Sequence, residues 1–176
     1  AKIEEAFMKF TFNGTSWEVK DKSGITYYFG QTTSSQQNNG ADVFKWYLDR
    51  VQGTLGNYMT LTYIKEDGQI YPGAINYTGF DGAPALTPAF EVDFDYSDNR
   101  DDYFFNYRSN FLIKTTKLLS SITVKQNGSR IRKYVLSHQQ SPSTKRMLLV
   151  SIVQYGLTDA SSLPPIEFTY QEKPFT

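Results

Sequence analysis

The sequence predicts an all-β fold of antiparallel, hairpin-rich sheets, sandwich-like or curled, with little or no helix. Three observations carry that reading. Aromatic residues, 13 Tyr, 13 Phe and 2 Trp, make up 16% of the 176 residues, and such rings fit a pleated, half-buried surface better than they fit a helix. Short apolar runs are separated by Asn13-Gly14, Ser23-Gly24, Asn39-Gly40, Gly56-Asn57, Asp67-Gly68, Asp81-Gly82 and Asn127-Gly128, residue types that reach positive φ at little cost. Between those turns, apolar and polar residues alternate with period two in several places.

Taken in order, residues 17–20 and 25–29 read as the first strands. Residues 33–40 are rich in Ser, Gln and Asn and read as a solvated loop. Residues 42–51 are the one helix candidate, with Val43, Phe44, Tyr47, Leu48 and Val51 at helical spacing behind a cap at Asp42. Phe44, Trp46 and Leu48 also alternate, so strand is the favoured reading there. Residues 58–64 and 69–77 form a pair around Asp67-Gly68, with Met59, Leu61 and Tyr63 on one face. A loop at 79–88 precedes the strand 90–96, where Phe90, Val92, Phe94 and Tyr96 share a face. Residues 118–124, 131–136, 147–155 and 166–170 complete the strands, and 138–144 reads as a flexible hairpin tip.

Length and composition bound the function. A chain of 176 residues is of a size for one domain with its own core, so residues 1–176 are expected to form a single all-β domain. With 18 basic and 18 acidic residues the formal net charge is zero, and no whole-chain field draws nucleic acid or an anionic membrane. There are no cysteines, which removes disulfides, thiolate metal sites and a cysteine nucleophile. The first ten residues carry Lys2, Glu4, Glu5 and Lys9 where a signal peptide needs an apolar stretch, and no window is apolar enough for a membrane helix. The chain starts without Met and ends at Pro174-Phe175-Thr176, and is expected to be a segment of something longer.

A wider pattern emerges from motifs read in order: Ser16-Trp17-Glu18-Val19, Lys22-Ser23-Gly24, Tyr28-Phe29-Gly30, then Trp46-Tyr47-Leu48-Asp49-Arg50-Val51 and Gly56-Asn57-Tyr58. Tyr71-Pro72 leads to Ile75-Asn76-Tyr77-Thr78-Gly79, and Val92-Asp93-Phe94 leads to Arg100-Asp101-Asp102. Lys117-Leu118, Tyr134-Val135-Leu136-Ser137, Leu163-Pro164-Pro165 and Phe168-Thr169-Tyr170 follow. Over nearly the whole chain this order resembles the SpvB-like N-terminal region of insecticidal toxin-complex (Tc) B components and RHS/YD-repeat-associated proteins. Gln52-Gly53 and His138 depart from that pattern, standing where the family tends to have an acidic and an aromatic residue. The resemblance implies a secreted or cell-surface bacterial virulence protein in which this region is architectural. Its partners would be the remainder of its own polypeptide or other toxin-complex subunits.

Few residues are placed for catalysis. The single histidine, His138, has Ser137, Ser141 and Ser143 nearby, but no Gly-x-Ser-x-Gly elbow accompanies them. The acidic run Asp93, Asp95, Asp98, Asp101 and Asp102 offers oxygens suited to calcium, yet an EF-hand counted from Asp93 puts Asp98 where Gly is needed and Phe104 where Glu is needed. The Glu-x-Glu pair of the ADP-ribosyltransferases associated with the family is absent. Arg130, Arg132, Lys133, Lys145 and Arg146 read as outward residues of a strand pair before they read as a nucleic-acid stripe.

The sequence therefore predicts a non-catalytic structural module that contributes strands to a larger shell, with no cofactor and no metal. The alternative is a carbohydrate- or protein-binding module for a host surface glycan or protein. Trp17, Trp46, Tyr28 and Tyr47 would be its ligand-stacking residues, since exposed rings stack on sugar faces.

Overall fold

The computed structural model describes residues 7–40, 42–98 and 100–171. The charged start Lys2, Glu4 and Glu5 and the end Pro174-Phe175-Thr176 lie outside them. Among the described residues fifteen strands are present: β1 (Lys9–Phe12), β2 (Trp17–Lys20), β3 (Thr26–Phe29), β4 (Gln36–Asn39), β5 (Asp42–Trp46), β6 (Leu48–Gln52), β7 (Asn57–Glu66), β8 (Gln69–Phe80), β9 (Phe90–Ser97), β10 (Phe104–Asn106), β11 (Ile113–Thr115), β12 (Leu118–Gln126), β13 (Ser129–Gln140), β14 (Met147–Tyr155) and β15 (Ile166–Glu167). The fold is all-β, as the composition and turn spacing predict; the one helical piece described is a 3-10 turn at Thr33–Ser35.

Eleven strands form one antiparallel sheet in the order β1-β2-β3-β6-β7-β8-β9-β12-β13-β14-β15. Two excursions from this meander fold as separate two-stranded ribbons, β4–β5 and β10–β11. The turn chemistry sets the register. Asp67 and Gly68 have φ of 49° and 73°, and Asn127 and Gly128 have 48° and 78°, so both hairpins turn on two left-handed residues, the I′ geometry that matches strand twist. Glu66 then faces Gln69, and Gln126 faces Ser129.

Core packing is thin. Five apolar side chains are buried among the described residues, and four of them, Ile70, Tyr71, Ile113 and Leu118, come from the start of β8 and from β11 and β12, while Val19 is on β2. The Tyr71 hydroxyl fixes that centre by accepting from the backbone N–H groups of Thr116 (3.0 Å) and Lys117 (3.4 Å). The most deeply buried large side chains are polar, Gln37 and Ser35. Beyond ladder neighbours, the substantial packing is of the Thr33–Ser35 turn on β7 and of β11 on β8. No second sheet of comparable size lies across the first among the described residues.

Three sequence expectations are corrected. Residues 33–40 are not a solvated loop. They form the 3-10 turn and β4, with Ser35 0% and Gln37 1% exposed, because partners within the chain take up the Gln37 amide N–H and the Ser35 hydroxyl. Gln37 Nε2 donates to Gly68 O at 2.8 Å, and the Ser35 hydroxyl donates to Thr32 O at 2.8 Å. Residues 79–80 belong to β8, so the loop expected from 79 begins at 81. His138 lies within β13 and not in a hairpin tip, because Gln139 and Gln140 pair with Leu148 and Met147. The tip is residues 141–146.

The helix candidate 42–51 is two strands, as alternation favours. They break at Tyr47, whose N–H donates to Ser35 O (2.8 Å) and whose carbonyl accepts from Gly30 N (2.9 Å). That break sends β5 into its own ribbon and β6 into the main sheet.

Candidate functional site

The first strands build an aromatic groove. Phe10 faces Val19 across β1–β2 and Val19 faces Tyr27 across β2–β3, while Phe12, Trp17 and Phe29 make the parallel row. Because side chains alternate along a strand, both rows lie on one face. Trp46 closes the end, edge-on to Trp17 at 6.2 Å and to Phe12 at 6.0 Å between ring centroids. The resulting cavity, about 570 Å³, is lined by Met8, Phe10, Trp17, Val19, Tyr27, Phe29 and Trp46. Its polar handles are largely used within the chain: Trp46 Nε1 donates to Thr15 O at 2.8 Å and the Tyr27 hydroxyl to Asp21 Oδ2 at 3.3 Å. Such a lining suits apolar side chains better than a sugar, whose hydroxyls need partners.

The four stacking candidates thus separate. Trp17 and Trp46 share the groove. Tyr28 alternates to the opposite face, facing Glu18 and Arg50 in the ladders. Tyr47, at the break between β5 and β6, packs on Tyr63 at 5.5 Å and does not line the groove. Burial raises the pKa of Tyr47, and burial followed by the charge of Asp49 raises that of Tyr63 to about 12. β1 was not foreseen as a strand; the alternation of Phe10 and Phe12 is the signal for it.

The acidic run is neutralised from within. Lys125 pairs with Asp93 and stands 3.9 Å from Glu91, the Ser121 hydroxyl donates to Asp95 Oδ2 at 2.7 Å, Lys117 pairs with Asp98 at 2.6 Å, and Arg100 lies 3.2 Å from Asp102. No group of three or more His, Asp or Glu stands together as metal ligands among the described residues. The basic cluster is partly neutralised too, with Arg130 on Asp159 at 2.7 Å.

His138 is half-buried, and burial and then the charge of Arg100 lower its pKa below the usual 6.5. Of the neighbouring hydroxyls, Ser141 and Ser143 lie within hydrogen-bond distance of each other at 3.1 Å. A lowered folded pKa means that the unfolded chain takes up the proton first as pH falls. The stability this residue contributes is therefore present above about pH 6.5 and lost as pH drops through the folded value. Urea midpoints of the native chain and of His138→Gln at pH 7 and pH 5 are expected to converge at the lower pH. Parallel curves would remove His138 from the acid response.

No family model matches this chain, and no curated protein matches its sequence. Solved structures do match in fold. The N-terminal domain of effector protein SpvB from Salmonella typhimurium strain LT2 superposes with a TM-score of 0.75 at 15% identity, covering 88% of this chain and 67% of that one. The TcdB2-TccC3-TEV structure gives 0.77 at 18% identity, and the Photorhabdus luminescens Tc holotoxin pore 0.78 at 18%. This is an SpvB-like Tc fold. The Tc matches cover 98% of this chain but 11% of each Tc chain, and the chain spans about two thirds of the SpvB domain structure.

Proposed function

We propose that this chain is a non-catalytic structural module of a secreted bacterial toxin-complex or RHS-type virulence protein, which lends its sheet edges and aromatic groove to the rest of its polypeptide or to other subunits. The observation that carries this is the open sheet. Few apolar side chains are buried, while Phe10 (61% exposed), Phe12 (46%), Phe105 (60%) and Ile166 (61%) remain outside. Among the described residues, edge strand β1 pairs on one side only, with β2, so its outer backbone groups are ready for another strand. Beside that edge lies the groove, where alternate side chains of an added strand find an apolar seat. The fold shared with parts of much larger Tc chains supports the same reading.

The isolated chain is therefore expected to bind an apolar fluorescent dye in its native state and to self-associate at micromolar concentration. Extending it with the sequence that flanks it in its parent protein should suppress both. A monomeric chain that leaves the dye dark would count against the reading.

A further inference from the structure

Away from the aromatic groove and the β1 edge, the two faces of the main sheet differ in polarity. In the ladders Leu61 faces Ile75, Ile75 faces Val92 and Val92 faces Val124. Partners in an antiparallel ladder project to the same side, so these four make one apolar row. Phe94, Ile122 and Tyr134 make the next row, and Leu136 with Ile152 extends the surface to β14. The opposite side carries Thr60, Asn76, Glu91 and Lys125 in one row and Asp93, Thr123 and Lys133 in another. Lys125 pairs there with Asp93, so that side is suited to water.

Burial runs against this division. Ser121 and Thr123, on the polar side of β12, are 6% and 9% exposed, whereas Ile122 and Val124 beside them are half-buried. Ile75, Val92, Phe94, Leu136 and Ile152 are half-buried as well. A sheet with one apolar face is stable when that face packs on a second layer. Both ribbons stand at the end marked by the β7–β8 turn, where Gln37 Nε2 donates to Gly68 O and Lys114 N to Asp67 O. Among the described residues neither ribbon packs substantially on β9, β12, β13 or β14.

We propose that the apolar face of β8, β9, β12, β13 and β14 is buried in the parent protein by a further apolar-faced layer of the same polypeptide. Five strands about 4.8 Å apart, over about 25 Å of length, offer about 600 Å². Counting both sides, that is about 1,200 Å², the lower end of a specific interface. At that size a second copy of the chain would have to offset the loss of translational and rotational freedom, whereas a layer tethered to the sheet loses far less. The matched structures leave room for such a layer: about one third of the SpvB domain structure and about nine tenths of each Tc chain lie outside the match. Residues 166–170 also run along β14 at the border of this face, with Phe168 N donating to Val150 O (3.0 Å) and the Tyr170 hydroxyl to Leu149 O (2.7 Å). A segment following them starts beside the surface to be covered.

The chain has no cysteine, so a single introduced thiol reports one position. Ile75→Cys and Val124→Cys place it on the apolar face, and Lys133→Cys on the polar one. Alkylation by iodoacetamide, read by peptide mapping, is compared in the isolated chain and in the longer polypeptide that carries it, each rate being divided by that of the same variant in urea. All three thiols are expected to react in the isolated chain. In the longer polypeptide Ile75→Cys and Val124→Cys should slow by about a hundredfold or more, and Lys133→Cys by less than about threefold. Circular dichroism checks the fold, and Val92→Cys, in the same row, replaces Ile75→Cys where that variant does not fold. Face thiols that react equally fast in both forms, or that slow only as much as Lys133→Cys, would overturn the proposal. So would protection already present in the isolated chain and lost on dilution, which would assign the face to a second copy. This inference rests on the structural role proposed above, yet the two fail separately: hydrogen exchange at β1 reads the edge, and the thiols read the face.

Discussion

Gly30→Ala is expected to destabilise the chain by about 3 kcal/mol, the sum of a left-handed backbone and an overpacked contact. Gly30 ends the ladder of β3 at φ +70°, and a Cβ built there runs into Trp46, meeting Cδ1 and lying 2.9 Å from Cγ. The indole cannot simply yield, because its Nε1 is tied to Thr15 O and its ring closes the groove against Phe12 and Trp17. Gly30 N also donates to Tyr47 O, the bond that holds the break between β5 and β6. Urea unfolding followed by tryptophan emission should show both a lower midpoint and an altered native spectrum. A change within about 0.5 kcal/mol, the range of an ordinary surface substitution, would mean that Trp46 is free to move.

Asp49→Ala is the second large effect, at about 3 kcal/mol. The Asp49 side chain, on a residue 5% exposed, accepts from Gln31 N at 2.6 Å and from the Thr32 hydroxyl at 2.8 Å. Removing it takes the charged acceptor from the Gln31 N–H and the Thr32 hydroxyl, both on exposed residues, and a hydrogen bond to a charged group contributes about 1.5–3 kcal/mol. Thr32 in turn starts the 3-10 turn whose Ser35 is fully buried, with Thr32 N donating to Ser35 Oγ at 3.3 Å. The loss should therefore spread to β4 and expose the amides of residues 35–39 to hydrogen exchange. Asp49→Asn keeps one acceptor oxygen and should cost about half as much. Equal exchange in native chain and Asp49→Ala would show that β4 is held by other contacts.

These two residues also mark how far the sequence could be read. Asp67-Gly68 and Asn127-Gly128 are legible because the chemistry of a two-residue turn is local, and the alternation through Phe90, Val92, Phe94 and Tyr96 is legible because one face of β9 differs from the other in polarity. The burial of 33–40 is not legible. Ser, Gln and Asn are ordinarily surface residues, and nothing local says that Gln37 will meet Gly68 or that Thr32 will meet Asp49. β10 and β11 escape because three residues each are too short for period two to register. His138 looked like a tip residue because Gln139 and Gln140 are polar, yet extended pairing with Met147 and Leu148 is a backbone property that side-chain polarity does not report.

The same division holds for sites. Trp17 and Trp46 are conspicuous by type, and they do meet, but only the ladder shows that Phe10, Phe12 and Phe29 join them and make the surface apolar. A cavity at the β7–β8 turn draws Gln37, Gln69 and Arg108 from separate stretches of sequence, so no spacing rule could assemble it.

Hydrogen exchange of the backbone amides of β1, measured in this chain alone and again within the longer polypeptide or assembly that carries it, tests the structural role most directly. If the sheet is completed from outside, the amides of Lys9–Phe12 that point away from β2 should exchange quickly in the isolated chain and become protected by orders of magnitude in the larger one. Equal exchange in both would contradict a module that lends its edge.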